Sequence, residues 1–196
     1  MNTLNTFTLL TGLLFGGTAS GVTRTAAGSL PVAHELGASG DADAPGSDPV
    51  KAADLDVLQK LHDANQTEIQ MGHLAEEKGS TKAVKAFGRR LVTDHTAADQ
   101  KVSDFLRRHG LDLAALATTS SADAAHKTTA DKAGVEFDRA FASQMVIDHH
   151  KLIDLLQDGR RNTGSVELRE LYGDFLPVLQ AHKRQAQDLA EGRRRA

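Results

Sequence analysis

Residues 84–105 read VKAFGRRLVTDHTAADQKVSDF, and the spacing of their apolar positions decides the fold. Val84, Gly88, Leu91, His95, Ala98, Val102 and Phe105 follow one another at alternating steps of four and three. That repeat keeps one face of an α-helix turned towards a partner. One member of the stripe is an imidazole, where the inside of a helical assembly favours leucine.

Three other segments carry the same repeat. Before it, Leu58, Leu61, Asn65, Glu68, Gly72 and Ala75 share a face; after it come Ala142, Met145, His149, Leu152 and Leu156, then Leu168, Leu171, Phe175, Val178, His182, Gln185 and Leu189. Gly79-Ser80 separates the first two segments, with Ser80 a candidate N-cap. Gly110 suits the C-terminal end of the second helix. A stretch rich in Ala, Ser and Thr over 112–132 joins the second helix to the third, with room for a helical turn at its start, and Gly159 to Ser165 separates the last two. Pro177 is expected to bend or locally break the fourth helix. The short first and third connections predict hairpins, hence an all-α, antiparallel up-down-up-down four-helix bundle.

Composition agrees with helices. Of 196 residues, 40% are hydrophobic but only 4% aromatic, with Ala, Leu and charged residues dominant. A net charge of −3 gives no electrostatic ground for a nucleic-acid partner. The chain has no cysteine. Disulfides, thiolate chemistry and iron–sulfur clusters are thereby excluded, and any metal must be held by nitrogen and oxygen. Residues 1–20 contain a short apolar run, Leu9 to Gly17, followed by Thr18, Ala19 and Ser20. This resembles a signal peptide without its basic first part, and export to the periplasm, envelope or exterior is the expected fate. Residues 21–51 read as a flexible linker, 52–191 as the bundle domain and 192–196 as a basic tail. No transmembrane helix is expected in the mature chain.

Glu68, His95, His149 and His182 each fall on the apolar stripe of a different helix. Glu68 lies about 12 residues before the first turn and His95 about 15 after it, so at roughly 1.5 Å per residue they differ in level by about one turn. His149 lies about 12 residues before the last connection and His182 about 17 after it, further along the axis unless Pro177 closes the gap. Burying an unpaired carboxylate costs several kcal/mol, so Glu68 needs a cationic or metallic partner. Three imidazoles and a carboxylate suit zinc, copper or iron better than calcium or magnesium. Asn65, Asp94 and Asp148 read either as acceptors for the outer nitrogens of such histidines or as polar residues of ordinary helix faces. His150 turns away from the stripe. Gly72 and Gly88 mark either a close helix approach or space beside the polar cluster.

Three functions stay open on these residues. The cluster holds a transition metal without catalysis; or it is a metal-free network that fixes helix register; or it is a mononuclear metalloenzyme site with an open position. No catalytic residue is assigned. Di-iron oxidation is excluded at the motif level, because that chemistry uses Glu-x-x-His on two helices and the chain has no such motif.

The stretches NQTEIQMGHLA (65–75), VKAFGRRLVTDHT (84–96), FDRAFASQMVIDH (137–149) and LPVLQAH (176–182) resemble the domain-of-unknown-function family 4142. That resemblance implies a ferritin-like four-helix protein, exported from bacterial cells. It implies Glu68, His95, His149 and His182 as the characteristic polar positions, and it implies no particular reaction.

Overall fold

The computed structural model describes residues 50–113 and 124–193. Among these residues every regular element is helical: α1 (Ala52–Lys78), α2 (Lys82–Arg108), α3 (Ala124–Ala130), α4 (Gly134–Asn162) and α5 (Val166–Ala190). The leader, all but the end of the linker and the last three residues of the basic tail lie outside the described residues. No described helix is long and apolar enough to cross a membrane.

Local chemistry sets the helix ends. Thr81, not Ser80, caps α2: its hydroxyl accepts from Val84 N–H at 3.2 Å. Ser80 is used elsewhere, donating its backbone N–H (2.8 Å) and its hydroxyl (2.7 Å) to the carboxylate of Asp138. Gly110 ends α2 with φ +67°, and the N–H of Leu111 returns to the carbonyl of Leu106 at 2.9 Å. A left-handed residue beyond the last turn, with that return bond, is the common glycine stop. Ser165 caps α5 through Leu168 N–H at 3.2 Å. Residues 124–130 form a short helix not expected from the sequence. It packs on α4, where His126 Nε2 meets Asp148 Oδ2 at 2.9 Å.

The apolar residues gather in two clusters. One contains Leu58 and Leu61 of α1, Val102 and Phe105 of α2, Leu152 and Leu156 of α4, and Leu168 and Tyr172 of α5. The other contains Met71 and Ala75, Leu91 and Phe87, Phe137 and Phe141, and Ala186 from the same four helices. Between them, on every long helix, lies a buried polar residue: Asn65 and Glu68, His95, His149, His182.

The helix contacts are consistent with a bundle: α1 packs on α2 and α4, and α5 on α4 and α2. Going along the chain, α1 and α5 pass from the first cluster to the second, whereas α2 and α4 pass from the second to the first. The end of α1 and the α1–α2 turn accordingly meet the start of α4, where Lys78 lies over Phe137 and Ser80 binds Asp138. Arg108 at the end of α2 likewise meets Glu167 at the start of α5, at 2.6 Å. The expected up-down-up-down order is therefore corrected to up-down-down-up. The connection over 109–133 is long enough to bring the chain back to the end from which α2 started, so α4 need not reverse it.

Three further details differ from the sequence reading. The buried face of α5 is Leu168, Tyr172, Phe175, Leu179, His182 and Ala186 rather than the stripe through Leu171, Val178 and Gln185. Both series contain positions 168, 175 and 182, so His182 is buried in either. α5 also runs unbroken through Pro177. Gly159 lies within α4, where an added Cβ would sit 3.1 Å from the Tyr172 ring. Gly72 and Gly88 mark a close helix approach: a Cβ on Gly88 would meet the Gly72 carbonyl oxygen at 2.5 Å. Only hydrogen at both positions lets α1 and α2 come this near.

Candidate metal centre

The polar layer brings three imidazoles together. His95, His149 and His182 are 2%, 0% and 0% exposed. Their ring centroids form a nearly equilateral triangle with sides of 5.2, 5.4 and 5.5 Å. One nitrogen from each ring lies within 4.8 Å of the others, and among the described residues no other group of His, Asp and Glu side chains converges in this way.

The outer nitrogens fix which inner nitrogens are free. His95 Nδ1 is 2.9 Å from the side-chain oxygen of Asn65, so it donates a proton there. His149 Nδ1 donates to the carbonyl of Met145 at 2.8 Å, one turn back on its own helix. His182 Nε2 donates to Asp94 Oδ2 at 2.7 Å. A neutral imidazole carries one N–H. His95 Nε2, His149 Nε2 and His182 Nδ1 are therefore left as lone pairs.

Two observations follow from that assignment. His95 Nε2 is buried and has no hydrogen-bond partner among the described residues. His149 Nε2 and His182 Nδ1 face each other at 3.2 Å with no proton between them. Moving a proton into that gap would turn the Nδ1 lone pair of His149 onto the Met145 carbonyl at 2.8 Å. Adding one would place a cation in the core, which burial opposes. Burial, with repulsion from the other two rings, holds the pKa of His95 well below its usual value. Burial lowers His149 from 6.5 to about 4, the charge of His182 adding to the effect. His182 is lowered chiefly by burial, against the opposing pull of Asp94. The three rings are neutral near pH 7, the form in which imidazole binds metals.

Glu68 is placed differently. It is buried, but its Oε1 lies 3.4 Å from His149 Nδ1, the nitrogen turned away from the other two rings. Burial, and after it the charge of Asp148, holds its pKa well above the usual carboxylate value. Burial opposes the charged form of both the carboxyl and the imidazole, which gives this contact a polar character. Its Oε2 has no hydrogen-bond partner among the described residues. Asp148 does not reach the triad; it accepts from Gln144 Nε2 at 2.9 and 3.0 Å and pairs with His126. His150 is exposed, 3.7 Å from Asp154.

The donors fit a transition metal. Metal–imidazole bonds of about 2.0–2.1 Å set the nitrogens roughly 3.3–3.6 Å apart in a tetrahedral or trigonal arrangement. The His149–His182 pair already stands near that spacing. Each ring also has the outer acceptor that metal-binding histidines ordinarily have, which fixes tautomer and orientation. Asn65 and Asp94 were legible in the sequence as candidate acceptors, whereas the Met145 carbonyl and His126 were not. A backbone acceptor has no residue signature, and His126 is brought to α4 by a helix with no apolar stripe.

Fold and site together define an all-helical protein with a buried three-histidine cluster. The chain belongs to the family described as Domain of unknown function (DUF4142), which matches residues 39–189. Solved structures of similar fold include CopM in the Cu(I)-bound form, at 19% sequence identity and a TM-score of 0.62, covering 71% of this chain and 96% of that one. CopM in the Cu(II)-bound form matches at 17% identity and a TM-score of 0.61, with the same coverage. The apo form of CopM matches at 18% identity and a TM-score of 0.58. At these identities the likeness is one of fold. No curated protein matches the chain at a significant level.

Proposed function

We propose that this chain is an exported metal-handling protein that binds one transition-metal ion, copper in the first instance, through His95 Nε2, His149 Nε2 and His182 Nδ1. The observation that carries the reading is the pair of lone pairs 3.2 Å apart, with both outer nitrogens already donating. With the neutral tautomers that the outer acceptors favour, a metal-free network leaves that contact without a proton, whereas a cation between the rings bridges it directly. Sulfur-free nitrogen donors suit copper, zinc, iron or nickel, and the copper- and silver-bound forms of CopM favour copper or silver. On this reading the helices form a ferritin-like antiparallel bundle whose two apolar clusters hold the polar layer between them. Asn65, Met145 and Asp94 orient the rings, and Glu68 packs behind His149. The leader over 1–20 supports export.

The arrangement suits retention of an ion better than catalysis on it, since all three rings are exposed by 2% or less and the outer nitrogen of each is already tied to an acceptor. Equilibrium dialysis of the metal-free protein against copper(I) held by a competing chelator tests the reading. One ion per chain is expected, falling to none in a variant carrying both His149→Leu and His182→Leu. No uptake, or unchanged uptake in that variant, would overturn it.

A further inference from the structure

Two cavities flank the polar layer, and they differ in what they touch. One, of about 290 Å³, is lined by Glu68, His126, Asp148 and Lys151 among others, and by none of the three histidines of the triad. The other, of about 150 Å³, opens beside α2 and α5 and is lined by Asn65, Asp94, His95 and His182. Its mouth carries Lys101, Asp174 and Val178.

The three outer acceptors are also unequal. Asn65 and Met145 are buried, whereas the Asp94 side chain is 30% exposed and shares its Oδ2 with Arg90 Nε at 3.3 Å. Among the three rings, only His182 is therefore held by a group that water reaches. The mouth is already furnished for a cation. The Lys101 ammonium sits 5.7 Å from the centroid of the Phe175 ring and 3.9 Å from Asp174. A carboxylate and a π face together attract positive charge.

We propose that a metal ion reaches and leaves the triad through this α2–α5 cleft, with Asp94 as the carboxylate that receives it and His182 as the ligand that swings to admit it. The proposal rests on the metal-binding reading. The ion meets Asp94 once Lys101 has moved aside. His182 then exchanges its hydrogen bond with Asp94 for a turn that opens the triad, while His95 and His149 stay fixed by buried acceptors. Asp94 is thus a positioning residue for His182 and the first anion on the route.

Stopped-flow transfer of copper(I) from its bicinchoninate complex to the full chain, and back, tests the route. Val178→Trp fills the mouth from an exposed position. It is expected to slow loading and release alike by about tenfold or more while leaving Kd within about twofold, since an obstruction on a path changes both rates and not the end states. Lys101→Ala clears the mouth and removes a positive charge, and should speed loading. Lys151→Trp, beside the other cavity, should load as the wild type does. Loading of Val178→Trp at the wild-type rate, a changed Kd without a changed loading rate, or slowing in Lys151→Trp instead would overturn the route. Failure of the wild type to take any copper from the chelator would instead remove the metal-binding reading beneath it.

Discussion

Acidifying the metal-free protein should expose the neutral state of the buried rings directly. In the folded chain His149 titrates at about 4, against 6.5 for an unperturbed histidine. Above 6.5 the ring is neutral whether folded or unfolded and adds no pH dependence. Between 6.5 and 4 the unfolded chain binds a proton that the folded chain refuses, so stability falls as pH falls. With those two values the loss from His149 alone is about 2 kcal/mol at about pH 5, approaching roughly 3 kcal/mol at still lower pH. His95 and His182 are shifted in the same direction and add to it. Glu68, whose pKa is raised, works the other way, as one group against three. The perturbation of choice is His149→Leu, with urea unfolding followed by far-ultraviolet circular dichroism in the presence of a chelator. Between about pH 7.5 and 5, the variant should lose about 2 kcal/mol less than the wild type, whatever its stability at the higher pH. Equal losses in the two proteins would mean that His149 is not buried as a neutral ring, and would refute the reasoning.

Further expectations concern single positions. Glu68→Gln should match the wild type in acid and be the more stable of the two at neutral pH, because the wild type must hold a proton on a buried carboxyl whose folded pKa is raised. Only the wild type should lose stability as pH rises from the ordinary carboxylate range towards that folded pKa, and urea midpoints in acid and at neutral pH check this; parallel curves would contradict it. Gly88→Ala drives a Cβ against the Gly72 carbonyl and should cost about 1–3 kcal/mol by the same unfolding assay, whereas an unchanged midpoint would mean the helices can separate freely. Asp94→Ala frees the outer nitrogen of His182 and should weaken copper binding by about 10–100-fold in chelator competition.

Much of the fold and part of the site were legible in the sequence. The four-three spacing located all four long helices and put His95, His149 and His182 on buried faces, because burial and periodicity are one physical fact in a helix. It misread helix direction, since a stripe reads the same from either end and the 109–133 connection bears no mark of which way it crosses. It misplaced the buried face of α5 by one position, because Leu171 and Val178 are apolar yet only partly buried and exposed, respectively, and Tyr172 fills the space against Gly159. Glu68 shared the register of the histidines, but the stripe gives height along a helix and not the side from which a carboxyl meets an imidazole. The orientations of the rings depend on a backbone carbonyl and on how two side chains of other helices meet them, and periodicity supplies neither.

The central claim is that three lone pairs converge, and ring-nitrogen NMR of the histidine-labelled chain tests it most directly. Without metal, the protonated nitrogens should be Nδ1 of His95, Nδ1 of His149 and Nε2 of His182. On adding one equivalent of silver(I), which is diamagnetic, the other nitrogen of each of these rings should shift and couple to silver while the outer protons stay in place. A proton on His149 Nε2 in the metal-free protein, or silver coupling to exposed rings such as His73 and His150 while the triad is unmoved, would contradict the account.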